Sequence, residues 1–229
     1  MNSEYLILNV IIISGPLALS FDKRVFFIQY WREVLIGITI PAVVFIVWDA
    51  LVTGRHWYFN DLYTLESRFL NIPPGEWLFF ITVPYACLFV WQVLHVYFKN
   101  NKFALKIAVT QVLILFFVVS SIINLLQGKE YTAIVSLAFA LPLVLDRWLG
   151  THIFYGRLTI YFTAILIVLM LVFNGYLTAR PIVLYGIQYQ LDFRIITIPV
   201  EDFFYGLSLV YLNVILFEYT KRKRVWANA

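Results

Sequence analysis

Apolar stretches of close to twenty residues alternate with short polar segments along the whole chain. A helix needs about 20 apolar residues to cross the hydrocarbon core of a membrane. The chain is 62% hydrophobic and 13% charged, with a mean hydropathy of +0.83, which excludes an ordinary soluble domain. The pattern predicts an all-α polytopic membrane protein. Its seven predicted transmembrane helices cover about residues 4–20, 32–51, 76–97, 103–125, 131–147, 157–176 and 201–219.

One short phrase occurs twice, about 126 residues apart, as Arg68–Phe79 and as Arg194–Tyr205. Each copy has an arginine, a short apolar stretch, Ile-Pro, an acid within three residues, and aromatic residues that open a long apolar run. The pattern predicts two parallel three-helix repeats joined by one extra helix. The predicted units are a first repeat at residues 1–100, a linker helix at 101–128, and a second repeat with a basic tail at 129–229. Parallel repeats place their matched polar groups at the same depth in the membrane.

Basic residues predict the orientation of the chain in the membrane. Twelve of the 17 lysines and arginines fall on the side of the C-terminus. The positive-inside rule then places the C-terminus in the cytoplasm and the N-terminus outside, in a multi-pass protein of the cell inner membrane. The cluster Lys221–Arg224 is interpreted as an anchor to anionic lipid headgroups, not as a nucleic-acid site. Most acidic residues fall near the opposite, non-cytoplasmic face.

The acidic residues of the repeated phrase are the candidates for chemistry. An acid after a proline is an ordinary helix start, since it complements the helix dipole. Capping alone, however, does not require the resemblance between the two copies, or an arginine eight residues before Glu76 and before Asp202. Glu76, Glu201 and Asp202 are therefore the predicted acid–base set. Residues predicted to bind substrate or tune the acids are Asp49, Asn60, Arg68, Arg194, Trp77, Phe79, Phe203 and Phe204.

These motifs resemble the small membrane-integral lycopene cyclases, in which a Pro-x-Glu-Glu motif followed by aromatic residues is duplicated. The resemblance covers essentially the whole chain as one fused pair of repeats, and it departs from the family pattern at Gly75, where the first acid of the first copy is missing. The matching positions are Asp49, Trp57, Phe59-Asn60, Tyr63, Pro73-Pro74-Gly75-Glu76-Trp77-Leu78-Phe79-Phe80 and Pro199-Val200-Glu201-Asp202-Phe203-Phe204.

The resemblance implies a redox-neutral cyclisation of lycopene end groups to β-ionone-type rings, giving β-carotene via γ-carotene. A carboxylic acid would protonate the terminal double bond, a neighbouring alkene would attack the cation, and a second carboxylate would remove a ring proton. No cofactor is expected, because no Gly-rich dinucleotide motif is present, and no metal is expected. The expected partners are membrane lipid, the linear carotenoid and enzymes of the carotenoid pathway.

Two other functions stay open at this point. A small-molecule transporter of the parallel-repeat type has the same helix plan. A non-catalytic homologue is suggested by Gly75. If the repeats share one cavity, Glu76 is expected to face Asp202 across the pseudo-two-fold axis, and glutamate in place of Gly75 is expected to be tolerated.

Overall fold

The computed structural model describes residues 3–98 and 107–227. Within them lie seven α-helices: α1 (Glu4–Leu19), α2 (Trp31–Val52), α3 (Pro74–Tyr97), α4 (Ile107–Leu126), α5 (Glu130–Trp148), α6 (Arg157–Ala179) and α7 (Val200–Ala227). Four short strands lie in the loops: β1 (Trp57–Phe59), β2 (Val183–Tyr185), β3 (Arg194–Ile195) and β4 (Ile198–Pro199).

The helices confirm the predicted class, an all-α polytopic membrane protein. Six of them are long and apolar enough to cross a membrane, and α1 is an apolar helix of 16 residues. The last helix continues to Ala227, well past the predicted end at residue 219, because its basic residues extend the helix beyond the apolar stretch. Residues 103–106 of the predicted fourth helix lie outside the described residues.

The duplication is visible in the backbone at a constant offset of 126 residues. A short 3-10 helix follows the first helix of each repeat, at Phe27–Tyr30 and at Ile153–Tyr155. The residue before it is left-handed in both copies, with φ of +41° at Phe26 and +56° at His152. Both copies are thus one structural unit repeated without insertion. The equivalent helices and strands begin at Glu4 and Glu130, at Trp31 and Arg157, at Trp57 and Val183, and at Pro74 and Val200. The predicted boundary at residue 100 falls outside the described residues, and the remaining domain boundaries stay predictions.

The two repeats are joined at the membrane face where α1, α3, α5 and α7 begin. The strands β1 and β2 pair antiparallel across the repeats, with Trp57 opposite Tyr185. Two ion pairs also cross between repeats, Glu4 with Arg180 and Glu130 with Arg55. Strands of three residues are too short to give an alternating sequence pattern, so this pairing could not be predicted. It fixes the loops over the helix ends that carry the predicted acids.

Candidate active site

Glu76 and Asp202 occupy equivalent positions and line one cavity of about 460 Å³. Each lies in the first turn of its helix, α3 or α7, after the Ile-Pro of the repeated phrase. A proline at the start of each helix loses no hydrogen bond there, and the acid that follows is close to the helix dipole. The side chains are only 8% and 6% exposed. The fold thus brings one acid from each repeat into a shared space.

Glu76 is held by a tyrosine of the first helix. The hydroxyl of Tyr5 donates to Glu76 Oε2. Beside this pair, the Asn9 amide donates to the carbonyl oxygen of Gly75 at 2.9 Å and accepts from Thr82 at 2.5 Å. Among the described residues Glu76 Oε1 has no hydrogen-bond partner. One oxygen of this carboxyl is therefore oriented by Tyr5, and the other is available in the cavity.

Gly75 is required for this arrangement. A Cβ atom at residue 75 would lie 2.6 and 2.7 Å from two ring carbons of Tyr5. The structure therefore contradicts the expectation that glutamate is tolerated at residue 75, because the tyrosine ring occupies the space that any side chain would need. In the second repeat Tyr131 reaches Asp202 although Glu201 stands at the position equivalent to Gly75. Gly75 therefore leaves the space that the Tyr5 ring occupies in the first repeat, and the hydrogen bond itself does not depend on the departure from the family pattern.

Asp202 accepts three hydrogen bonds. Tyr131, the equivalent of Tyr5, donates to Oδ1 at 2.6 Å. The Asn174 amide at 3.0 Å and the Tyr185 hydroxyl both donate to Oδ2. Burial, followed by the nearby Asp202 carboxylate, holds the pKa of Tyr185 well above its usual range, so that this residue remains a donor at physiological pH. Asp202 is thus fixed from three different elements, α5, α6 and β2.

Glu201, also predicted as an acid or base, does not line the cavity. Its Oε1 accepts from the Thr132 hydroxyl at 2.6 Å and from the backbone N–H of Leu191 at 2.7 Å. Its Oε2 is buried without a partner among the described residues. Consecutive helical residues point about 100° apart, which turns Glu201 towards α5 and the loop when Asp202 faces the cavity. The geometry favours a positioning role for Glu201.

Asp49 lies behind the cavity wall and is fully buried at the end of α2. Thr53 and the indole N–H of Trp57 donate to its Oδ1 at 2.8 and 2.6 Å. Trp57 itself lines the cavity. Asp49 therefore fixes an aromatic wall of the site, and its tuning role stays a prediction.

The remaining predicted residues are mostly in the loops and the core. Asn60 ties the two repeats together through the carbonyl oxygen of Pro181 at 3.1 Å. Arg68 pairs with Asp61, and Arg194 donates to Thr197 at 2.8 Å and lies over the ring of Tyr185. Neither arginine lines the cavity. Of the four predicted aromatic residues, Phe79 lines the cavity, whereas Trp77, Phe203 and Phe204 do not.

Sequence reasoning missed the donors that hold the acids. Tyr5 and Tyr131 begin the first helix of each repeat, and each follows a glutamate at the same offset of 126 residues. The repeated Glu-Tyr pair was a signal that could have identified them. Tyr185 had no comparable signal, because its equivalent in the first repeat is Phe59.

The surroundings of the two acids suit proton transfer in an apolar space. Within residues 3–98 and 107–227, no ion pair involves Glu76 or Asp202. No group of three or more metal-ligating side chains occurs in the same residues. The rest of the lining is almost entirely apolar or aromatic. The site can therefore give and take a proton while it excludes water from a reactive cation.

The sequence of the chain also matches a known protein family. The family model of lycopene cyclase matches residues 2–94 and 128–220, two segments of equal length separated by the offset of the structural repeats. A search of curated proteins and a search of solved structures each found no match. The two matched segments cover well over half of the chain and contain both cavity carboxyl groups. The chain belongs to the lycopene cyclase family.

Proposed function

We propose that this protein cyclises the end groups of lycopene to β-ionone-type rings and forms β-carotene via γ-carotene. The observation that supports the proposal most strongly is the single cavity lined by Glu76 and Asp202, each held by a tyrosine at equivalent positions. Membership of the lycopene cyclase family supports carotenoid cyclisation in general. The β-type ring and the order of products are proposals.

The reaction needs one proton donor and one proton acceptor. A carboxylic acid adds a proton to the terminal double bond, and its conjugate base is left behind. The resulting tertiary cation is attacked by a neighbouring double bond, which closes the ring and moves the positive charge to a ring carbon. A carboxylate then removes a proton from the adjacent ring carbon and restores a double bond. One proton enters and one leaves, so the product is an isomer and no redox partner is needed.

We assign the acid role to Glu76 and the base role to Asp202. All three hydrogen-bond partners of Asp202 donate to it, and an ionised carboxylate is a pure acceptor. Glu76 accepts one hydrogen bond at Oε2, which leaves Oε1 able to carry the proton. An isolated ionised carboxylate is costly to bury in apolar surroundings, and the neutral acid is not. The two acids thus have environments suited to opposite roles.

Aromatic faces around the acids support the cationic intermediate. Trp57, Phe59, Phe79 and Tyr205 line the cavity together with the two carboxyl groups. An aromatic face attracts a cation by about 0.5–2 kcal/mol, and more strongly where water is absent. These rings therefore stabilise the charge while it moves within the substrate, and they keep water from quenching it.

The test is expression of the wild-type chain in a bacterium that accumulates lycopene, followed by pigment extraction and separation. Products with one and then two rings are expected. If lycopene stays unchanged while the protein is present in the membrane, the proposal is wrong, and the chain is a non-catalytic member of its family.

We also propose that the protein lies in the inner membrane with the N-terminus outside and the C-terminus in the cytoplasm. The site would then lie near the outer face, since α3 and α7 begin on the side of the N-terminus. A reporter fused after Ala229 is expected to behave as cytoplasmic, because twelve of 17 basic residues lie on that side. A periplasmic signal from that fusion would reverse the assigned orientation.

A further inference from the structure

The cavity is elongated and runs along the helices from the two acids towards the middle of the membrane. On α3 it is lined at helical spacing by Glu76, Phe79, Val83, Cys87 and Val90. The rise of 1.5 Å per residue makes this stripe about 21 Å long. Its carboxyl groups and tyrosines lie at one end, and the remainder is lined mainly by apolar residues. The shape suits the end of a long hydrocarbon chain that lies along the helices.

One side of the cavity is open between α1 and α6, and this opening is named the slot here. These two helices are not among the pairs that pack closely. Ile11, Ser14 and Gly15 line the cavity from α1 and are nevertheless exposed, and a Cβ at Gly15 would meet no atom within 4 Å. A second cavity of about 300 Å³ continues the slot between Ile11 and Phe173. Because α6 is long and apolar enough to span the membrane and α1 is an apolar helix beside it, the slot opens sideways to the lipid.

The end of the slot nearest the loops is closed by polar contacts. Glu4 at the start of α1 accepts hydrogen bonds from Tyr176 and from Arg180 of the second repeat. Below these contacts the slot is lined mainly by apolar side chains. The opening therefore faces hydrocarbon chains and not the aqueous phase.

The repeat partners of α1 and α6 are α5 and α2, and among the described residues they contribute only Tyr131 to the lining of the cavity. Trp48, which replaces Asn174, fills the equivalent space and packs against Phe45, Trp57 and Tyr205 at ring distances of 4.9–6.2 Å. The residues of α2 that correspond to the α6 lining face outwards and are each more than half exposed: Ile40, Val43, Val44, Val47 and Leu51.

We propose that the slot between α1 and α6 admits one end of a linear carotene sideways from the bilayer, and that each visit cyclises one end. The inference rests on the proposed function. Both carboxyl groups serve the same cavity, so only one end group can react at a time. A carotene with two reactive ends leaves through the slot as the one-ring product, turns, and enters again by its other end.

A matched pair of tryptophan variants tests the slot. Ile11 and Leu137 are repeat equivalents and are 57% and 55% exposed, but only Ile11 lines the cavity. In liposomes that contain lycopene, Ile11→Trp is expected to lower the rate of ring formation at least tenfold, and Leu137→Trp less than twofold. Gly15→Trp, which has open space for its side chain, is expected to act like Ile11→Trp. Wild-type rates in both slot variants, or equal losses in all three, would overturn the slot.

The inference that each visit cyclises only one end, called the one-end rule, has its own test with the wild-type protein. Isotope-labelled lycopene is converted in liposomes with an excess of unlabelled one-ring product. The labelled molecules are expected to accumulate as one-ring product, because that product leaves the site and the unlabelled excess competes with it for the second step. Labelled lycopene that is converted directly to labelled two-ring product, with no labelled one-ring product in the membrane, would overturn the rule. Absence of any ring product from the wild type would instead refute the proposed function, and with it this inference, so the two failures are distinguishable.

Discussion

Glu76→Gln and Asp202→Asn are each expected to lower the rate of ring formation by about 10²–10⁴-fold, the usual contribution of a positioned acid or base. Each change keeps the size and polarity of the side chain and removes the group that carries the proton. The hydroxyls of Tyr5 and Tyr131 can still donate to the remaining amide oxygen. The measurement is ring formation in membranes with equal amounts of each variant.

Asp61→Asn is the control for these two variants. Asp61 is 74% exposed and paired with Arg68 in a loop, so its loss should change the rate less than twofold. The Glu201→Gln variant tests how much the third predicted acid contributes to the rate. The sequence predicts a severe loss for that variant, whereas its position outside the cavity predicts a smaller loss than Glu76→Gln gives. Full activity of Glu76→Gln would remove Glu76 from the reaction and leave the second repeat as the working site.

Gly75→Ala is expected to lower both stability and activity, and Gly75→Glu to lower them further. The new Cβ would overlap the ring of Tyr5, and such overpacking typically costs about 1–3 kcal/mol. Relief of the overlap moves the tyrosine away from Glu76, so the rate should fall in the folded fraction as well. Thermal unfolding in detergent and ring formation by the folded protein measure the two effects separately.

Gly15→Ala is the matched glycine control for stability. It also lies in a helix, but a Cβ there meets no atom within 4 Å. Replacement of a helical glycine by alanine should leave stability unchanged or raise it by up to about 1 kcal/mol. A Gly75→Glu variant as stable and as active as the wild type would show that Tyr5 has room to move and does not orient Glu76.

The three predicted acids show how much of the site could be predicted from the sequence. The repeated phrase identified Glu76 and Asp202 as equivalents, because the two copies have the same residue types in the same order. It ranked Glu201 equally with them, since neighbours in sequence share composition and hydropathy. Only the direction in which each side chain leaves its helix separates Asp202, in the cavity, from Glu201, which binds Thr132 and Leu191.

The sequence by itself determined the membrane class, the helices and their duplication, because hydropathy and repetition are local properties of the chain. Tertiary structure alone decided that the acids of the two repeats line one shared cavity. The decision depends on how α2 and α6 pack: Trp48 fills the space on one side, and its equivalent Asn174 leaves it open and donates to Asp202 on the other. Such a difference arises from the fit of side chains brought together across the fold, which no window of sequence contains.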